Sequence, residues 1–129
     1  MVPIDDPITE DYTLFVHIEE APIFRGCEGL KKDASKKCFT KKIQQFVISR
    51  FNVDLAQELG LRGGKHKMFV QFIINTKGLV SDIEIKAPHK RLKEEVRRVI
   101  NKLPKFVPGK QQNKPVKVKF TLPITFYVE

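Results

Sequence analysis

The side chains able to do chemistry are few, and their spacing does not favour catalysis. His17, His66 and His89 stand far apart, and no Ser/His/Asp, Cys/His or His-x-x-x-His arrangement forms around them. Histidines so isolated read as surface residues. Gly60, Gly63 and Gly64 form a glycine-rich break, but Lys65-His66 follows, where a phosphate loop needs Gly-Lys-Ser or Gly-Lys-Thr. Cys27 and Cys38 match no metal pattern such as C-x2-C. In an oxidising compartment the two can pair and close a short loop worth about 2–3 kcal/mol; in the cytosol they are two free thiols. No enzyme, cofactor or metal is expected. What remains is binding through charge and backbone.

The charge is unevenly placed. The chain of 129 residues has a net charge of +9 and a pI of about 9.7. Residues 1–28 hold seven Asp and Glu against Arg25 alone, whereas the rest holds 23 Lys and Arg against eight acids. A basic body attracts anions such as nucleic acid, acidic lipid, acidic glycan or an acidic peptide, and a solvated basic face is the plainer reading. Nucleic acid is not expected, because no helix-turn-helix, RNP-like or zinc pattern appears. Phe39, Phe46, Phe72, Phe120 and Phe126 fall on expected core faces rather than among the lysines.

A composition of 41% hydrophobic and 30% charged residues belongs to a globular chain, and this length suits one domain. No run of about 18 apolar residues reads as a membrane-spanning helix. The polar start lacks an apolar signal region, as in a cytosolic protein or a piece of a longer exported chain. Residues 1–22 read as an acidic, partly flexible lead-in, with strand-like composition over Tyr12–Ile18, and residues 23–129 as the folded domain. Phe24–Lys37 reads as loop.

From there Phe39, Ile43, Phe46, Val47 and Phe51 recur at helical spacing, which predicts a helix over Lys37–Phe51. Asp54–Leu61 adds a short helical turn. Lys67–Asn75 and Leu79–Lys86 read as strands joined by Asn75-Thr76-Lys77-Gly78, whose glycine suits the left-handed residue closing a hairpin. Leu92, Val96, Val99, Ile100 and Leu103 trace one stripe of a helix over Lys90–Leu103, which Pro104 stops. Last, Val116, Val118, Phe120, Leu122, Ile124, Phe126 and Val128 alternate with polar residues, the pattern of a long strand with one buried face. The order predicts an α+β fold. Its antiparallel sheet has three strands, four if the early one joins, with two helices packed on one face.

Proline has no N–H to give to a ladder, so Pro123 places the last strand at a sheet edge with its odd-numbered residues facing outward. Exposed edges are commonly blunted by lysine or proline, and Lys117, Lys119 and Pro123 fit that role as well as a docking role.

Several local words resemble the TonB C-terminal domain family, in the form typical of Bacteroidetes-type transducers. Val70–Ile83 is similar to that family's central hairpin. Leu103–Lys110 resembles its aromatic-x-Pro-Gly-Lys turn, with Phe106, Pro108, Gly109 and Lys110 in place. Lys114–Phe126 resembles its last strand. Glu19–Cys27 is similar to the motif before its first helix, departing at Arg25, where a proline is frequent. The resemblance spans roughly Glu19–Val128.

It implies a periplasmic domain of an inner-membrane-anchored transducer in a Gram-negative bacterium. Such a domain binds the TonB box of outer-membrane transporters, a short extended peptide added as a strand. The full transducer works with ExbB and ExbD through an N-terminal membrane helix and Pro-rich linker upstream, and the transporters import siderophores, vitamins or glycans. On this chain the peptide is expected along Val116, Lys117, Val118, Lys119, Phe120, Thr121 and Leu122, with Pro22, Phe24 and Arg25 as a further transporter contact. The oxidising compartment favours a Cys27–Cys38 disulfide. The same edge permits a strand-exchanged homodimer as well as a monomer. A TonB-like adaptor that binds peptidoglycan or another envelope protein is the competing reading of the same fold.

Overall fold

A computed structural model describes residues 12–129. The lead-in before Tyr12 lies outside the described residues. Strand β1 (Thr13–Leu14) runs into a 3-10 turn (Phe15–His17), followed by α1 (Lys32–Arg50) and α2 (Asp54–Glu58). Then come β2 (Gly64–Ile74), β3 (Val80–Lys86) and α3 (Lys90–Ile100). The short pair β4 (Lys110–Gln111) and β5 (Lys114–Pro115) precedes the long β6 (Val118–Val128).

The main sheet has the order β1-β6-β2-β3. Strands β2 and β6 pair antiparallel over their whole length, from Gly64 opposite Val128 to Ile74 opposite Val118. Strand β1 pairs parallel to β6, so the sheet is mixed rather than purely antiparallel. The alternation over β6 holds residue by residue: Val118, Phe120, Leu122, Ile124, Phe126 and Val128 are buried, and Thr121, Pro123, Thr125 and Tyr127 are exposed. Each inward side chain contributes about 1.5–3 kcal/mol of apolar burial.

Helices α1 and α3 cover the inner face. Phe39, Ile43 and Val47 of α1 and Leu92, Val96, Val99 and Ile100 of α3 join Met68, Val70, Phe72 and Ile74 of β2 in one core. Helix α1 begins five residues before the expected Lys37, because docking on the core supports a first turn whose residues are mostly polar. The expected strand over Tyr12–Ile18 shortens to two residues. Phe15 and Ile18 both pack inward, and a spacing of three suits a helical turn better than a strand's alternation. Cys27 and Cys38 are joined as a disulfide, with Cα atoms 5.9 Å apart, tying the approach segment to the first half of α1.

Polar contacts fasten α3 to the end of α1. Glu95 accepts from Arg98 Nε (2.9 Å) and Nη2 (2.6 Å) and from the backbone N–H of Asn52 (2.9 Å). Arg98 Nη2 also donates to the Arg50 carbonyl at 3.1 Å. The Arg98 hydrogen bond, aided by Asn52, holds the Glu95 carboxyl below its ordinary value against the opposing effect of burial. A carboxylate lowered on folding stabilises the fold above its unfolded pKa, about 4.3. That contribution is lost as pH falls through the lowered value. Glu95→Gln is therefore expected to cost about 1 kcal/mol at neutral pH. Urea unfolding near pH 3 should show the gap from wild type closing, and a gap that does not change with pH would refute the ionic origin.

Candidate functional site: the outer edge of the last strand

The sheet has two long edges, and they differ. At the β3 edge the ladder is irregular between Gln71 and Ile73, Asp82 takes a positive φ of 51°, and Arg97 Nη1 covers the Ile83 carbonyl at 3.2 Å. A bulge and a cation on a carbonyl blunt an edge against pairing.

The β6 edge is divided. The Thr13 N–H donates to the Lys117 carbonyl at 2.8 Å, which fixes Lys117 as facing the β1 side. Backbone groups two residues apart point the same way, so Lys119, Thr121, Pro123, Thr125 and Tyr127 face outward too. Pro123 lies opposite Phe69 of β2 and has no donor to lose there. Strand β1 pairs with only Val118 and Lys119. From Thr121 onward no strand among the described residues pairs on this side.

The structure distributes the sequence-predicted residues along that division. Val116 precedes the strand; its N–H donates to the Gly109 carbonyl at 3.0 Å, and its side chain packs by Ile18, Ala21 and Val118. Lys117, Val118 and Lys119 carry β1. Lys119 Nζ lies 3.1 Å from the Tyr12 hydroxyl and 4.7 Å from the centre of its ring. Phe120 is buried against the rings of Phe15, Phe39 and Phe72. Thr121 is exposed, with its hydroxyl 3.4 Å from Gln71 Oε1, and Leu122 is buried.

Pro22, Phe24 and Arg25 lie on the segment that leads into α1. Pro22 is buried, and Phe24 packs on Phe106 and Phe46 at centroid distances of 5.4 and 6.4 Å. Arg25 alone of the three is exposed. Hydrogen bonds in both directions between Ile23 and Val107, and between Glu20 and Lys110, hold this segment to the turn after α3.

The face of the sheet away from the helices carries Lys65, Lys67, Phe69 and Gln71 of β2 beside Tyr127, Thr125, Pro123 and Thr121 of β6. Phe69 is 44% and Tyr127 71% exposed, so an apolar and cationic surface borders the open edge. Among the described residues no three His, Cys, Asp or Glu come together as metal ligands, and no helix is long and apolar enough to cross a membrane. Two histidines have structural duties the sequence did not announce. His89 Nδ1 accepts from Arg91 N–H at 3.0 Å and caps α3, and His66 stacks on Phe126. The position of His89 one residue before the predicted helix was the available signal for the cap.

The family model of the Gram-negative bacterial TonB protein C-terminal region matches residues 54–128. The chain belongs to the TonB C-terminal family. This stretch runs from α2 to the end of β6 and does not reach β1. None of the curated proteins matches the chain. A solution structure of the TonB C-terminal domain of Helicobacter pylori is similar, at 24% identity and a TM-score of 0.50, over 79% of this chain and 87% of that one. A second, shorter solution structure of that domain matches at 25% identity and a TM-score of 0.44, over 67% of this chain and 91% of that one. The first of these structures shares the fold of this chain, and membership places the chain among the periplasmic domains of Gram-negative TonB proteins. Domains of this family are interaction modules of energy transducers rather than enzymes.

Proposed function

We propose that this domain grips outer-membrane transporters by taking a short extended peptide, the TonB box, as an added strand on β6, within Val116–Leu122. The rest of the transducer, anchored in the inner membrane, couples that grip to the proton-motive force through ExbB and ExbD and so drives active import of siderophores, vitamins or glycans. The observation that carries the reading is the outward row of backbone groups on β6, left unpaired from Thr121 onward by any strand of the described residues. Backbone pairing supplies affinity in strand addition, and side-chain pockets supply selectivity. Lys117 and Lys119 on the edge, with Lys65 and Lys67 on the adjoining face, favour a peptide rich in Asp or Glu. That preference acts mainly on the association rate and weakens with salt. A second transporter contact at Pro22, Phe24 and Arg25 is part of the same reading, and Arg25 is the exposed one of the three. The open edge also accommodates a second copy of the chain.

The test is amide NMR of labelled protein titrated with peptides from the N-terminal segments of outer-membrane transporters of the same organism. Saturable shifts along Val116–Tyr127 are the expected result. Thr121→Pro removes an outward donor and should weaken binding about tenfold, the scale of one backbone hydrogen bond left unmade. Unchanged affinity in a variant that unfolds normally would refute the assignment of the edge. If peptidoglycan fragments shift the lysine-bearing face and no peptide shifts β6, the adaptor role replaces this one.

A further inference from the structure

Strand β1 occupies the same edge that the docking peptide needs. It covers Val118 and Lys119, the middle of Val116–Leu122. The uncovered half, from Thr121 on, contains Pro123, so a ladder built there alone has a gap where a donor is missing. The uninterrupted run of outward N–H groups is at Lys117, Lys119 and Thr121, and β1 lies over most of it. We infer that β1 is a built-in competitor, and that tight docking proceeds by displacing Tyr12–Leu14 from β6; this rests on the strand-addition reading above.

The segment is constructed to peel rather than to unfold. Phe15 packs on Phe39 and Phe120 at centroid distances of 5.5 and 4.8 Å, and Ile18 is 2% exposed beside Val118. Lys36 Nζ holds the Val16 carbonyl at 3.1 Å. These contacts fix the chain from Phe15 onward. Ahead of them Leu14 is 43% exposed, and β1 meets β6 over two residue pairs, Thr13 with Val118 and Leu14 with Lys119. The 3-10 turn at Phe15–His17 takes the chain off the edge, so β1 cannot extend over Thr121. The open half therefore serves as a landing stretch. A peptide pairs there first and then replaces β1 residue by residue, exchanging one set of backbone hydrogen bonds for another. Because part of the population is closed at any moment, the apparent affinity falls by the open fraction.

Thr13→Pro removes the donor to Lys117 without touching β6. In the full chain, isothermal titration with ten-residue peptides from transporter N-terminal segments should show roughly five- to tenfold tighter binding to Thr13→Pro than to wild type. In wild-type protein, amide hydrogen exchange at Thr13 should speed up as the same peptide saturates, while Ile18 stays protected. Peptide shifts along β6 with unchanged affinity in Thr13→Pro and an unchanged Thr13 amide would overturn the competitor and leave the docking reading standing. If no peptide shifts β6 in either protein, the docking reading falls and the competitor falls with it.

Discussion

Gly78→Ala should destabilise the domain by roughly 3 kcal/mol or more and lower its melting temperature by at least about 10 °C. Gly78 closes the β2–β3 hairpin with a φ of +83°. Asn75 organises that turn, its side-chain oxygen accepting from Lys77 N–H at 2.9 Å and Leu79 N–H at 3.0 Å. A left-handed backbone costs a non-glycine residue about 1–2 kcal/mol. The larger part is steric. A Cβ at Gly78 would lie 1.8 Å from the Phe106 carbonyl oxygen and 2.9 Å from its carbon, and both are backbone. The same residue is held there because Phe106 N–H donates to the Gly78 carbonyl at 2.9 Å. Relief requires the segment after α3 to lift, which would pull Phe106, 3% exposed, away from Phe24 and Phe39. Gly29→Ala separates the two effects. Its φ is +78°, but nothing lies within 4 Å of the added Cβ, so it should cost only about 1 kcal/mol. Thermal unfolding of both variants followed by circular dichroism is the check. Equal losses would mean that the close approach of Phe106 does not matter.

Phe39→Ala should cost about 3–5 kcal/mol, the range for deleting a buried phenylalanine. Phe39 is fully buried on α1, and its ring meets Phe106 and Phe120 edge-on at 5.2 Å each and Phe15 at 5.5 Å. It joins the helix layer, the turn after α3, the last strand and the N-terminal segment. Truncation leaves a cavity that four separately anchored elements cannot close together. Because Phe15 loses one of its two aromatic partners, the hinge that fixes β1 should loosen as well. Urea unfolding measures the stability, and hydrogen exchange at Thr13 and Ile18 reports the hinge. Phe39→Leu, which leaves a smaller void, should fall well below the alanine variant. A loss under about 1.5 kcal/mol for Phe39→Ala would show that the aromatic cluster is not the centre of the core.

The parts of the fold legible in the residues are those whose physics is local. Six inward residues from Val118 to Val128 at a period of two could only be a strand with one wet face; Val116 continues the period but lies ahead of β6. Leu92, Val96, Val99 and Ile100 could only be a helix with one apolar stripe, and Asn75 with Gly78 marks a tight turn. Pro123 likewise named the outward side of β6 from its missing donor. The start of α1 was not legible. Lys31–Lys36 has no apolar period, and Ser35 becomes a buried residue only after the helix has docked. The length of β1 escaped for a similar reason, since Tyr12–Ile18 has strand composition whether or not Phe15 finds Phe39.

By itself the sequence determined the class of the fold, the long edge-capable strand and the resemblance that led to the family. Tertiary structure alone decided that Thr13 and Leu14 lie on Val118 and Lys119, that Arg97 covers the Ile83 carbonyl on β3, and that Pro22 is buried and Phe24 packs on Phe106. Pairing between residues about a hundred positions apart leaves no period to read. It is chosen by which edge is still unpaired once β2, β3 and β6 have formed their ladder, and by which inward pockets remain for Phe15 and Ile18 to fill.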